Sequence, residues 1–226
     1  MNMTVRFSKI SQQTELFAKQ IHAAAATLDI AINDEQVLAI LRYLDGLLLW
    51  GKAYNLTAIT DPDDALIKHI FDCMAIVPNL PFAEKSGVRL LDIGTGAGLP
   101  SVIIAILRPD WQVSALDSNQ KKIRFIRQMA GELGLKNITP VASRIEQHHA
   151  DYAKAYQVIT SRAFAALNDF VALAEPCLAD DGVLYAMKGK DPQADELAGL
   201  DAWQIDVRQI VVPQLDDSRC VVYLQK

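Results

Sequence analysis

Residues 90–107 read LLDIGTGAGLPSVIIAIL. A short apolar run ends at the acid Asp92. Three glycines follow at alternate positions, Gly94, Gly96 and Gly98, and after Pro100 comes a second apolar run. Glycines allow a tight turn and let the backbone approach a neighbour with no Cβ between them. Proline suits the first turn of a helix, where its missing N–H costs nothing. The stretch therefore predicts a buried strand, a glycine loop and a helix, the unit from which parallel sheets are built.

The rest of the chain repeats this rhythm. After Gly87, VRLLDIG predicts a strand, LPSVIIAILRP a helix and WQVSALD a strand. NQKKIRFIRQMAGELGL predicts a helix with Ile123, Ile126, Ala130 and Leu133 on one face. NITPVAS and YQVITSRA are strands, FVALAEPCLADDG a helix ending in glycine, and VLYAMKG a strand. WQIDVRQIVVP and RCVVYLQK close the chain as two strands joined by QLDDS, an antiparallel pair. The expected class is α/β, a mostly parallel doubly wound sheet with an antiparallel C-terminal strand pair.

Before Gly87 the pattern is helical. Asn33 and Gln36 are spaced as a capping box. Val37, Leu41, Leu44 and Leu48 follow at helical spacing, widened by Ile40 and Leu47. An earlier stretch places Leu16, Phe17, Ile21, Ala24 and Leu28 on one face. WGKAYNLTAITDPDDA reads as a turn-rich joint, and ALIKHIFDCMAIV as a short helix closed by Pro78 and Pro81. The expected organisation is a helical extension over residues 1–86, packed on the sheet and covering part of the site, and a second domain over 87–226.

With 226 residues and 51% apolar composition the chain can bury one sizeable core. No apolar stretch approaches the roughly 18 residues that a membrane helix needs, and the start, MNMTVRFSKISQQ, lacks an apolar signal region. Cys73, Cys177 and Cys220 are odd in number and widely spaced, which argues against a disulfide framework and a zinc site. The expectation is a cytoplasmic protein with no metal, no membrane partner and no DNA. A net charge of −5 counts against a free-standing binder of bulk nucleic acid.

In such sheets a ligand lies beyond the carboxyl ends of the strands, next to the first one. The start of the following helix offers free N–H groups and a positive dipole to an anion. A nicotinamide fingerprint requires glycine where Leu99 stands, and no lysine follows to make a Walker A loop. What remains is G-x-G-x-G behind Asp92, with a second acid, Asp117, ending the next strand, where it is placed to accept both hydroxyls of a ribose. This arrangement resembles the S-adenosylmethionine loop of Rossmann-like class I methyltransferases. That resemblance implies loop backbone from Gly94, Gly96 and Gly98 on the methionine moiety, Asp117 with Ser118 on the ribose, and Ile145 and Glu146 flanking the adenine.

Six blocks carry the resemblance further: WGKAYNLTAI at 50–59, HIFDCM at 69–74, DIGTGAGLP at 92–100, LDSNQKKIRFI at 116–126, SRAFAAL at 161–167 and MKGK at 187–190. Together, from about residue 34 onward, they resemble the glucose-inhibited division protein B (RsmG) family. The resemblance implies transfer of a methyl group from S-adenosylmethionine to N7 of a guanine of 16S rRNA (position 527, in the 530 loop), inside the 30S subunit or a precursor, with S-adenosylhomocysteine as product. It implies cofactor contacts from Gly94, Leu99, Ile145, Glu146 and Arg162, with Asp117 beside them. The chain departs from the family pattern at Gly51, where asparagine is usual, and at Cys220, where histidine is usual.

The chemistry is consistent with what the chain lacks. Guanine N7 has a lone pair and no proton, so attack on a sulfonium methyl needs alignment rather than a general base. Methylation of an exocyclic amine would put N/D-P-P-Y/F after the fourth strand, where SRAF stands. Methylation of cytosine C5 would need a cysteine there, and Pro176-Cys177 lies elsewhere. Arg162 should face the site and pin a carboxylate, a phosphate or a guanine edge, unless it is a structural ion pair. Lys188 either contacts RNA or is merely solvated. Asn55 and His69 either shape the guanine pocket or are a turn residue and a satisfied histidine. Lys121, Lys122, Arg124 and Arg127 form either an RNA-phosphate surface or an ordinary solvated helix face. His148-His149 diverge as adjacent side chains and are expected to be exposed loop residues. Two rivals stand beside the rRNA reading: a methyltransferase of the same fold acting on a small molecule or protein, and a non-catalytic assembly factor that only binds S-adenosylmethionine.

Overall fold

A computed structural model describes residues 7–226 except Ala163 and Ala165. The SRAFAAL block therefore lies partly outside the described residues, as do the first six residues of the start. Helix α1 (Thr14–Thr27) packs against α2 (Asp34–Tyr54), and the Asn33–Gln36 capping box forms as expected. The buried stripe of α1 is Phe17, Ile21, Ala24 and Ala25. Leu16, expected on that face, is 53% exposed because it lies a quarter-turn away from the stripe. The WGKAY segment is not part of the joint: α2 continues through it and stops at Asn55, whose left-handed backbone (φ 51°) ends the helix. Asp45, inside α2, fastens the preceding chain by accepting the backbone N–H groups of Ser8, Lys9 and Ile10.

The second helical stretch is composite. Short α3 (Pro62–Ala65) runs into a π-helical segment (Leu66–Phe71), then α4 (Asp72–Ala75) and a 3₁₀ turn (Val77–Asn79). The alternating half follows: β1 (Arg89–Ile93), α5 (Ser101–Leu107), β2 (Gln112–Asp117), α6 (Gln120–Leu133), β3 (Ile138–Ala142), α7 (Ile145–Tyr152), β4 (Tyr156–Ser161), α8 (Leu167–Ala174), β5 (Leu178–Lys188), α9 (Ala194–Leu197), β6 (Gln204–Ile210) and β7 (Arg219–Gln225). The strands form one sheet in the order β3-β2-β1-β4-β5-β7-β6. β1 to β5 are parallel, and β7 runs antiparallel between β5 and β6. The order reverses direction between β1 and β4, where crevices open in such sheets.

One expected helix is shorter than its sequence pattern. FVALAEPCLADDG does not run to Gly182: α8 ends at Ala174, Pro176 sits in a 3₁₀ turn, and Leu178 already belongs to β5. Proline cannot continue a helix, and the early pairing of Leu178 with Tyr156 takes the chain into the sheet.

Helix α6 is apolar on a wider arc than its four-residue stripe. Phe125 and Met129 are buried as well, because α6 is sandwiched between the sheet and α2. The helices before the sheet also reach the glycine loop: the Tyr43 hydroxyl donates to the Ala97 carbonyl at 2.9 Å. A single buried apolar cluster runs from Ile10 through these helices to Val221.

Candidate active site

The glycine loop is built around Asp92. Its carboxylate is fully buried, and Oδ2 accepts the Thr95 hydroxyl at 2.6 Å and the Ser101 N–H at 3.2 Å. The start of α5, expected to receive a ligand anion, is thus occupied by the chain's own acid. Burial raises Asp92 to about 6, with the bonds from Thr95 and Ser101 and the charge of Arg162 opposing. A carboxylate raised in the folded state stabilises the fold below the ordinary carboxylate range and loses that contribution as pH climbs through its raised value. An Asp92→Asn variant should therefore gain stability relative to the parent between pH 4 and pH 7, by about 3 kcal/mol. Denaturant titrations across that range check this; a pH-independent difference would show that Asp92 does not carry the shift.

Two cavities share the carboxyl edge of the sheet. The first, of about 360 Å³, lies over β1, β2 and β3 and is lined by Gly94, Asp117, Ser118, Lys122, Ile145 and Glu146 among others. Asp117 accepts the N–H of Gly96 at 3.0 Å and that of Asn119 at 2.8 Å. Each carboxylate oxygen retains a further lone pair, so a ribose can still be held. Gly96 has φ +60° and nothing closer to a built Cβ than the Gly94 carbonyl at 4.0 Å. Of the expected cofactor residues, Gly94, Asp117, Ser118, Ile145 and Glu146 come together here. Gly96, Gly98 and Leu99 do not line this cavity; Leu99 is buried in the core. Lys122, expected with the basic helix face, is half-buried, with Nζ 3.9 Å from Asp117.

The second cavity, of about 430 Å³, lies over β5, β6 and β7 beside the end of β4. Arg162, just past β4, donates to Asp72 Oδ2 at 3.3 Å; Arg219, opening β7, donates to Asp72 Oδ1 at 2.9 Å. Arg162 lines this cavity and not the first. His69 sits in the π-helical segment with Nε2 2.7 Å from the Thr57 hydroxyl. Burial, aided by the charge of Arg162, lowers it to about 4, so it is neutral at ordinary pH. Lys188 pairs with Glu196 and is not simply solvated. Asn55 is exposed at the end of α2 and does not line the cavity. Asp72 and Arg219 were not singled out from the sequence. Asp72 carried one usable signal: an acid within the apolar run ALIKHIFDCMAIV must find a cation if it is buried.

Other expectations resolve simply. Lys121, Arg124 and Arg127 are exposed on α6. His148 and His149 are not exposed loop residues. They lie in α7, His148 buried against Tyr156 (Nε2 to hydroxyl 2.9 Å) and His149 bonded to the Leu173 carbonyl at 2.7 Å. Cys177 is buried in the 3₁₀ turn, and burial pushes its thiol up to about 11, which makes it inert. Among the described residues no group of three or more His, Cys, Asp or Glu is placed to hold a metal, and no helix is long and apolar enough to cross a membrane.

Known proteins resemble this chain in sequence and in fold. A family model described as rRNA small subunit methyltransferase G matches residues 36–222. Ribosomal RNA small subunit methyltransferase G of Psychrobacter cryohalolentis is 55% identical, covering 96% of this chain and 88% of that protein. Its counterpart in Acinetobacter baumannii strain SDF is 41% identical, covering 93% and 98%. Among solved structures, Aeropyrum pernix fibrillarin with natively bound S-adenosyl-L-methionine aligns with a TM-score of 0.54 at 14% identity, over 70% of this chain and 74% of that one. Precorrin-6y C5,15-methyltransferase of Geobacter metallireducens aligns at 0.51 and 16%, over 74% and 90%. At those identities the structural matches speak for the fold alone.

Proposed function

The chain belongs to the rRNA small subunit methyltransferase G family, and we propose that it transfers a methyl group from S-adenosylmethionine to N7 of a guanine of 16S rRNA, position 527 in the 530 loop. The observation that carries the geometry of this reading is the division of the carboxyl edge into two cavities on either side of the β1–β4 switch point. The first fits the nucleoside part of the cofactor, with the Asp117 carboxylate for ribose hydroxyls, Ile145 and Glu146 for the adenine, and the Gly94 backbone of the loop in its lining. Leu99 and Gly98 support the loop from beneath. When bound, S-adenosylmethionine supplies a methyl group on a positively charged sulfur.

The chain's own residues then have one task on the acceptor side. N7 needs no base, so the second cavity must hold the guanine with its lone pair in line and keep water out. Arg162 lines the second cavity, bonded to Asp72 and within electrostatic reach of Asp92. Residues 87–226 carry the methyltransferase domain in this reading, and residues 1–86 form the helical extension that closes over it. An acidic chain that must meet RNA is best served by an assembled 30S particle or its precursor, in the cytoplasm, where shaped RNA and protein share recognition.

Mass mapping of 16S rRNA from cells with and without the gene tests the reading. Loss of one N7-methylguanosine in the 530 loop, restored by purified protein and S-adenosylmethionine, is the expected result; an unchanged pattern refutes it. The exposed cations of α6 give a second test. A Lys121→Glu, Arg124→Glu double variant should need about tenfold more 30S substrate at physiological salt, because phosphate contacts supply affinity without sequence choice. An unchanged substrate requirement at physiological salt would return that face to ordinary solvation.

A further inference from the structure

The second cavity contains a carboxylate shared by two guanidiniums. The Asp72 side chain is 6% exposed, where the π-helical segment passes into α4, and both its oxygens are taken, one by Arg219 and one by Arg162. One negative charge between two positive ones leaves a positive charge over. Nearby cations are already matched: Lys188 pairs with Glu196, and Lys68 with Asp64 at 2.9 Å. Asp92, within electrostatic reach of Arg162, offsets part of that surplus above its raised value of about 6, and Arg219 keeps the rest. Arg219 gives Nε to Asp72 and Nη1 to the Ser218 carbonyl at 2.8 Å, and among the described residues its Nη2 has no hydrogen-bond partner. A planar fork anchored in this way presents its remaining donors in a fixed direction, which suits a phosphate.

Resting on the rRNA reading above, we propose that Asp72 is a positioning residue: it holds Arg219 beside Arg162 at the second cavity so that Arg219 meets a backbone phosphate of the target nucleotide while the base enters the cavity. A cavity of about 430 Å³ is on the scale of a small-ligand site, and an enzyme working on a base takes that base out of its stack. The assignment to phosphate rather than to the base edge follows from the reaction. N7 must stay open to the methyl group, and an arginine fork on N7 and O6 would block it. His69 in the same wall, held neutral, adds no competing charge.

The experiment compares wild type, Arg219→Ala, Asp72→Asn and the double variant, with 30S particles and protein-free 16S rRNA from cells lacking the gene as substrates. Cofactor affinity is measured separately by calorimetry. Arg219→Ala should raise KM for rRNA about tenfold with kcat changed by no more than about twofold. It should also flatten the dependence of log KM on log salt by about 0.7, the value for one single-stranded phosphate contact. Cofactor affinity should not move. Asp72→Asn should reproduce the KM and salt-slope changes, with kcat lowered as well because Arg162 loses the same partner, and the double variant should have a KM no worse than that of Arg219→Ala, since residues acting as one unit do not add. An unchanged KM and salt slope in Arg219→Ala overturns the proposal, even where Asp72→Asn fails to fold. Additive effects in the double variant overturn the positioning role. A wild type that methylates neither substrate refutes the functional reading and this inference with it; a wild type that methylates while Arg219→Ala matches it refutes the inference alone.

Discussion

An Arg162→Ala variant should methylate rRNA about 10²-fold more slowly at saturating substrate, the order of loss when a positioning side chain lets a reacting base move by about 1 Å. The position makes the effect large. Arg162 follows β4 at the switch point, lines the acceptor-side cavity and acts electrostatically on Tyr43, Asp92, Cys73 and His69. Burial opposes its charge, but neighbouring groups, among them the hydrogen-bonded Asp72 carboxylate, outweigh burial and hold it more firmly protonated than usual. The fold should survive, because Asp72 keeps Arg219 as a partner. Arg162→Lys should recover only part of the rate, since it restores the charge but not the planar fork. Single-turnover methyl transfer, with cofactor affinity measured apart, reads the result. An alanine variant within about fivefold of the parent rate would make Arg162 a structural ion pair.

The two halves of the site were unequally legible in the sequence, and the difference is one of range. The cofactor side is local. Asp92, the three glycines and Asp117 sit on consecutive strand ends, and strand–loop–helix periodicity alone brings Asp117 to within hydrogen-bonding distance of Gly96. The acceptor side is non-local. Arg219 and Asp72 are 147 positions apart and meet only because β7 inserts antiparallel next to β5, which brings its first residue to the carboxyl edge. No spacing rule reports such a pair. Tertiary satisfaction also decided the misread features. The Ser101 N–H opening α5 is met by Asp92 and the Val102 N–H by the Gly98 carbonyl, so the helix start has less to offer a ligand than its sequence implied. His148 lies inward because α7 turns it onto Tyr156, and a pair of polar residues carries no mark of which face it will take.

The three loop glycines separate into different physical requirements, and the sharpest stability prediction follows from this. A Cβ built on Gly98 would lie 2.6 Å from Val102 Cγ2 and 3.3 Å from Ile126 Cγ1, and the backbone there has φ +97°. Val102 and Ile126 are buried in the core, so neither can move aside cheaply. A Gly98→Val variant suffers both overpacking, about 1–3 kcal/mol, and a backbone conformation hostile to a branched side chain, about 1–3 kcal/mol more. The expected loss is about 2–6 kcal/mol, a large part of the stability of a domain this size. Gly131→Ala supplies the opposite sign. It lies inside α6, with nothing within 4 Å of a built Cβ and no positive φ, so alanine should stabilise by about 0.5–1 kcal/mol. Denaturant midpoints of the two variants at constant slope test the pair. If Gly98→Val held its midpoint and lost only cofactor affinity, the glycine would be there for the ligand; the crowding beneath it says that the core requires it first.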